Sequence, residues 1–116
     1  MRRGDIHLVD FEPSRGSEAD KRRPAVIVSN DGSNEVVTRL GRGLVTVVPL
    51  TSNVGRVYRF QLRLSARRTG LDRDSKAQTE QIRSVAVERV GERVGLVPYA
   101  LLSQLDEALR IHLDLG

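Results

Sequence analysis

Along most of this chain the apolar residues come in short bursts rich in Val, Ile and Leu, bounded by Gly, Pro, Asn and Ser, a pattern that predicts strands and turns. "DIHLVDF" (5–11) and "AVIVS" (25–29) read as the first two strands. Pro24 suits the first position of the second strand, where no ladder donor is needed, and biases Arg23 toward extended geometry. The intervening "EPSRGSEADKRR" is long for a link between neighbouring strands, which marks it as a functional loop. "NDGSNEVVTRLGRG" predicts a short helical turn and a Gly-Arg-Gly turn. "LVTVVPL" then reads as a buried strand whose end or irregular edge is marked by Pro49, followed by turn residues Thr51, Ser52 and Asn53.

The strictest alternation lies in "RVYRFQLRLS", where Tyr58, Phe60, Leu62 and Leu64 interleave with Arg59, Gln61 and Arg63. This predicts a half-buried strand with a cationic outer face. "ARRTGLDRDS" reads as a loop. "KAQTEQIRSVAV" at strand spacing puts Thr79, Gln81 and Arg83 on one face and Gln78, Glu80 and Ile82 on the other. A strand so polar on both sides lies at an edge or lines a groove. Helical period appears clearly only in "VPYALLSQLDEALRIHLDLG", with Pro98 at a first helical position and Leu101, Leu105, Ala108, Leu109 and His112 forming a stripe. Asp106 and Arg110 fall on its solvent side as an i, i+4 pair. Strands followed by one C-terminal helix predict a mainly β member of the α+β class, a small curved antiparallel sheet or barrel in one domain over residues 1–116.

Composition narrows the chemistry. Cysteine is absent, which removes disulfides, thiolate metal sites and a cysteine nucleophile. No apolar run is long enough to span a membrane, and "MRRGDIHLVD" lacks a signal-peptide core, so a cytoplasmic protein without membrane contact is expected. A net charge of +4 suits a polyanionic partner. The excess belongs to the middle of the chain, since residues 56–83 carry eight basic and three acidic side chains while residues 84–116 carry three and five. Four aromatic residues argue against a large stacking platform for bases.

Only His7 and His112 are available as imidazole acid-base groups, and both fall inside predicted elements, where structural roles are expected. No histidine-carboxylate grouping has metal-ligand spacing. An arginine site remains. The guanidinium of Arg23 can clasp a phosphate through two nitrogens while the hydroxyls of Thr51 or Ser52 bond a further oxygen. Arg23 is equally suited to an ion pair with Glu18 or Asp20, Thr51 to a simple turn, and Gln81 and Arg83 to ordinary edge-strand roles.

The segments "RRGDIHLVDFEPSRGSEADKRRPAVIVSND", "VTVVPLTSN", "KAQTEQIRSV" and "LDEAL" together resemble the MazF/PemK family of toxin endoribonucleases over nearly the whole chain. The resemblance implies an SH3-like barrel of the PemK/CcdB type with a C-terminal helix. It further implies a homodimer that cuts single-stranded RNA, in particular messenger RNA, at short motifs with no metal or other cofactor. The family's pattern points to Arg23, Thr51 and Glu18 as catalytic. Ser17, Lys21, Ser52, Asn53, Arg59, Gln81 and Arg83 are expected to contact RNA, in a groove that a cognate antitoxin covers. The loop "NVGRVYRF" is where sequence preference is expected to be set. Two other readings stand beside this one: a CcdB-like gyrase poison sharing the barrel, and a non-catalytic RNA-binding module.

Overall fold

The computed structural model describes residues 1–11 and 22–116. Its strands are β1 (Asp5–Asp10), β2 (Arg22–Ile27), β3 (Leu44–Thr51), β4 (Gln61–Leu64), β5 (Ser75–Gln78), β6 (Arg83–Ala86) and β7 (Val90–Leu96). Helices α1 (Asp31–Leu40), α2 (Ala66–Thr69) and α3 (Tyr99–Leu113) lie between and after them. Every pairing is antiparallel, in the order β4-β5-β3-β2-β1-β7. β6 also joins β3, on residues Leu44 to Val47, whereas β5 takes Leu50 and Thr51. One strand thus serves two partners in succession, and residues 79–81 between those partners form a 3-10 turn.

β2 and β3 are buried on both faces, which is why they read as unbroken apolar runs. Ile6, Val26, Val48, Leu50, Leu62, Leu64 and Ala77 join Leu101, Leu105 and Leu109 of α3 in one core. The alternate residues Val9, Ala25, Ile27, Val45, Val47 and Val85 form a second cluster on the opposite face, flanked by Phe11, Val37 and Val90. Gly95 shows how tightly the sheet closes, since a Cβ there would lie 2.7 Å from the backbone oxygen of Thr69 at the end of α2.

α1 is a full ten-residue helix where a short turn was expected. Asn30 caps it by accepting from Ser33 N at 2.7 Å, and Gly41 ends it at φ 69°. Asn34, wholly buried, bonds Ser29 through both ends of its amide, and Ser29 Oγ in turn accepts from Thr46 N. The backbone N–H of Arg3, 2.6 Å from Asp31, holds that carboxyl below the ordinary aspartate range despite some desolvation, with the Arg2 charge adding to the effect.

Other expectations change as well, beginning with residues 66–69, which form α2 inside the segment read as a loop. Pro24 is the third residue of β2, tolerated because β3 pairs with β2 only from Ala25 onward and leaves residues 22–24 flanked on one side. Strand β4 is confined to Gln61–Leu64, and Gln61 is buried, donating to Glu80 at 2.7 Å and accepting from Tyr58 N. Asp106 pairs with Arg3 at 2.6 Å, leaving Arg110 to Glu107. His112 is exposed beside the Phe60 ring at the end of the stripe.

Candidate RNA-cleavage site

Cross-strand partners share a face of the sheet, so the register sorts the candidate residues without further assumption. Val9 opposes Arg23, Ala25 opposes Pro49, Val47 opposes Arg83 and Thr51 opposes Lys76. Ala25 and Val47 belong to the second apolar cluster. Counting by twos along each strand, Arg23, Thr51, Lys76, Gln78 and Arg83 all rise from that cluster's face. Residues separated by up to sixty positions in sequence are thereby collected on one surface.

Arg23 is exposed yet firmly held. Its Nη2 donates to the Leu50 carbonyl at 3.0 Å and to Gln78 Oε1 at 2.8 Å, and its guanidinium lies 5.9 Å from the centre of the Phe11 ring. Arg83 approaches the same ring at 5.1 Å. Both planar forks of a guanidinium include Nη2, so with its hydrogens committed to protein acceptors a phosphate meets Arg23 through Nη1 or Nε. The two-nitrogen clasp expected from sequence therefore requires Gln78 to let go.

The carbonyl that holds Arg23 belongs to the residue before Thr51, which ties the two candidates together through one peptide unit. Thr51 Oγ1 accepts from Asn53 N at 3.3 Å, leaving its own proton available for a phosphate oxygen. Arg23, Thr51 and Ser52 also line a cavity of about 630 Å³ whose apolar wall, Leu8, Leu71 and Val94, lies toward the first core, with Asp72, Arg73 and Glu92 at its polar margin, so these residues sit where the two faces meet. That volume suits a nucleotide-sized ligand.

Of the other residues expected to touch RNA, Asn53 flanks Thr51, and Gln81 is exposed in the 3-10 turn. Arg59 is exposed in the loop that leads into β4. Ser17, Glu18 and Lys21 lie outside the described residues. His7 is bonded through Nδ1 to the Gly91 carbonyl at 2.8 Å, on the β1–β7 side, in keeping with a structural role. Among the described residues no three His, Asp or Glu side chains converge as a metal site would need, and no helix is long and apolar enough to cross a membrane.

Phe11 and Gln78 escaped sequence reasoning as parts of the site. The signal for Phe11 is its spacing of two from Val9 at the end of a strand. Gln78 has none short of knowing the β3–β5 register.

A family model described as PemK-like, MazF-like toxin of type II toxin-antitoxin system matches residues 2–113. Endoribonuclease MazF9 of Mycobacterium tuberculosis is 62% identical over 115 residues, spanning 99% of this chain and 98% of its own. Endoribonuclease MazF of Staphylococcus epidermidis is 31% identical over 117 residues, spanning 100% of this chain and 93% of its own. The solved Mycobacterium tuberculosis toxin MazF-mt6 shares the fold at a TM-score of 0.76 and 25% identity, over 97% of this chain and 98% of that one. The mainly β architecture with its C-terminal helix is thus that of a MazF toxin, and of the three readings the sequence left open the nuclease is the one its relatives carry. The chain belongs to the family of PemK-like, MazF-like toxins of type II toxin-antitoxin systems, and within that family it is an endoribonuclease.

Proposed function

We propose that the cavity shared by Arg23 and Thr51 cuts single-stranded RNA, messenger RNA above all, by attack of the substrate's own 2′-hydroxyl on the adjacent phosphorus. The observation that carries this reading is the peptide unit between Leu50 and Thr51, which holds a guanidinium on one side and presents a hydroxyl on the other. The protein then has to align the attack, neutralise the charge that builds on phosphorus and help the 5′-oxygen leave: the P–O5′ bond breaks as the P–O2′ bond forms, and the proton lost by the 2′-hydroxyl is balanced by the one the 5′-oxygen gains. The Arg23 guanidinium meets the charge that builds on the phosphoryl oxygens. Thr51 Oγ1 donates to a non-bridging oxygen, and Glu18, which lies outside the described residues, is assigned a supporting role.

No metal or other cofactor enters this scheme. In support, both histidines have structural surroundings: His7 is bonded to the Gly91 carbonyl and His112 packs beside the Phe60 ring. The exposed basic side chains of Arg23 and Arg83 on one face give the RNA backbone its track. Ser52, Asn53, Arg59 and Gln81 are assigned further RNA contacts, as are Ser17 and Lys21, which lie outside the described residues. An antitoxin of the type the family description names covers the same face with acidic residues, in the cytoplasm, with the toxin as a homodimer of single-domain subunits.

Product chemistry tests the scheme. The upstream fragment is expected to carry a 2′,3′-cyclic phosphate and the downstream fragment a free 5′-hydroxyl, with the rate unchanged by excess EDTA. Deoxyribose at the nucleotide 5′ to the scissile phosphate should stop cutting while binding persists. Arg23→Ala should lower kcat about 100- to 1,000-fold. Cleavage of the deoxy-substituted strand, or dependence on added magnesium, overturns the mechanism.

A further inference from the structure

Composition argued against a base-stacking platform, yet two of the four aromatic rings stand together outside the core. Tyr58 and Phe60 stack with centroids 5.4 Å apart and planes within 6°. The Arg56 guanidinium sits 4.6 Å from the centre of the Tyr58 ring, and His112 continues the series beyond Phe60. Arg56 is exposed and Tyr58 keeps 43% of its surface accessible, so the column ends in solvent with a flat cation on a flat ring.

The loop bearing this column is pinned from below. Lys76 Nζ donates to the Arg56 carbonyl at 2.5 Å, the Thr79 hydroxyl donates to the Phe60 carbonyl, and Gln61 Oε1 accepts from Tyr58 N at 3.1 Å. The ring positions are therefore set before any ligand arrives. Lys76 also links this loop to Thr51. It is the cross-strand partner of Thr51, on the same face, and its ammonium lies 6.0 Å from the Tyr58 ring. The Lys76 side chain thus runs between the strand position opposite the candidate catalytic hydroxyl and the stack.

We propose that the Arg56–Tyr58–Phe60 column is a stacking site for one unpaired nucleobase of the RNA, next to the phosphate held at Arg23 and Thr51. The inference rests on that catalytic reading. Unpaired bases stack on aromatic rings and on arginine planes, and a cationic cap favours a ligand whose backbone is anionic. The base seats on the Arg56 plane, or displaces it and seats on Tyr58. Either way the contact is to the π-face, so it fixes where the neighbouring nucleotide lies and tolerates its identity.

Two variants and one modified substrate decide the matter. An RNA made uncleavable by deoxyribose at the cut site is given an abasic nucleotide at each flanking position in turn. For the wild type, one such position should weaken binding on the order of tenfold. In Tyr58→Leu, which keeps apolar bulk for Phe60, the intact RNA should bind about tenfold more weakly and the penalty at that one position should vanish. Penalties at other positions should persist. Because the chain has no tryptophan, Tyr58→Trp places a single reporter in the column. Its emission should be quenched by intact RNA and not by RNA abasic at the identified position. An undiminished abasic penalty in Tyr58→Leu, or an unquenched tryptophan at saturation, overturns the stacking site. Failure of the catalytic reading shows separately, as normal cutting by Arg23→Ala.

Discussion

Arg23 spends one nitrogen on the protein and, in the proposed role, keeps the other two for the substrate. The bonds from Nη2 to Leu50 and Gln78, with the Phe11 ring alongside, fix the plane of the guanidinium and so the direction of its remaining donors. A lysine ammonium has one nitrogen for both tasks. Arg23→Lys is accordingly expected to fall within about tenfold of Arg23→Ala in kcat, both far below the wild type. Single-turnover rates at saturating RNA check this, and near-normal cutting by the lysine variant would show that charge alone suffices. Gln78→Leu removes one anchor of two and should lower kcat more mildly, with KM little changed.

β3 organises the elements as Arg23 organises the residues. Its first half pairs with β6 and its last residues with β5, and the switch sets Thr51 at the rim of the cavity. α1 is locked to the start of this arrangement by Asn34, whose amide satisfies Ser29 while Ser29 Oγ receives Thr46 N of β3. Asn34→Ala leaves those buried groups unpaired and is expected to cost about 1 to 3 kcal/mol in denaturant unfolding without a change in the product ends of RNA cleavage. β1, β2, β3 and α3 were legible in the sequence because burial on one or both faces writes a period or an unbroken apolar run. "RVYRFQLRLS" misled because Tyr58 and Phe60 alternate correctly yet stack on one another and on Arg56 and His112. "KAQTEQIRSVAV" was rightly seen as polar on both faces, but a change of partner strand, and hence a 3-10 turn at residues 79–81, leaves no local mark. At the candidate site, Arg23 with Thr51 or Ser52 was legible as a possible anion clasp from residue chemistry, and the catalytic assignment came from family resemblance. Gln78 and Phe11 were not, since their parts depend on cross-strand register.

For the whole molecule, a chain of 116 residues closes its two apolar clusters but still leaves Val36 and Leu40, a helical turn apart on α1, and Leu44 substantially exposed. Pairing with a second copy would cover such surface, and light scattering at micromolar concentration is expected to give twice the 12.9 kDa chain mass. A monomer mass there would remove the homodimer from the proposal. The anchor between Leu50 and Arg23 bears on how this toxin can be disarmed by mutation. A backbone carbonyl is common to all twenty amino acids, so no codon change at position 50 deletes it. The Leu50 side chain, in contrast, lies in the main core. Under selection for loss of toxicity, positions 23 and 51 can be struck directly and selectively. Position 50 yields only to substitutions that damage the folded state, and so half of the arginine's anchorage is hidden from point mutation as long as the fold survives.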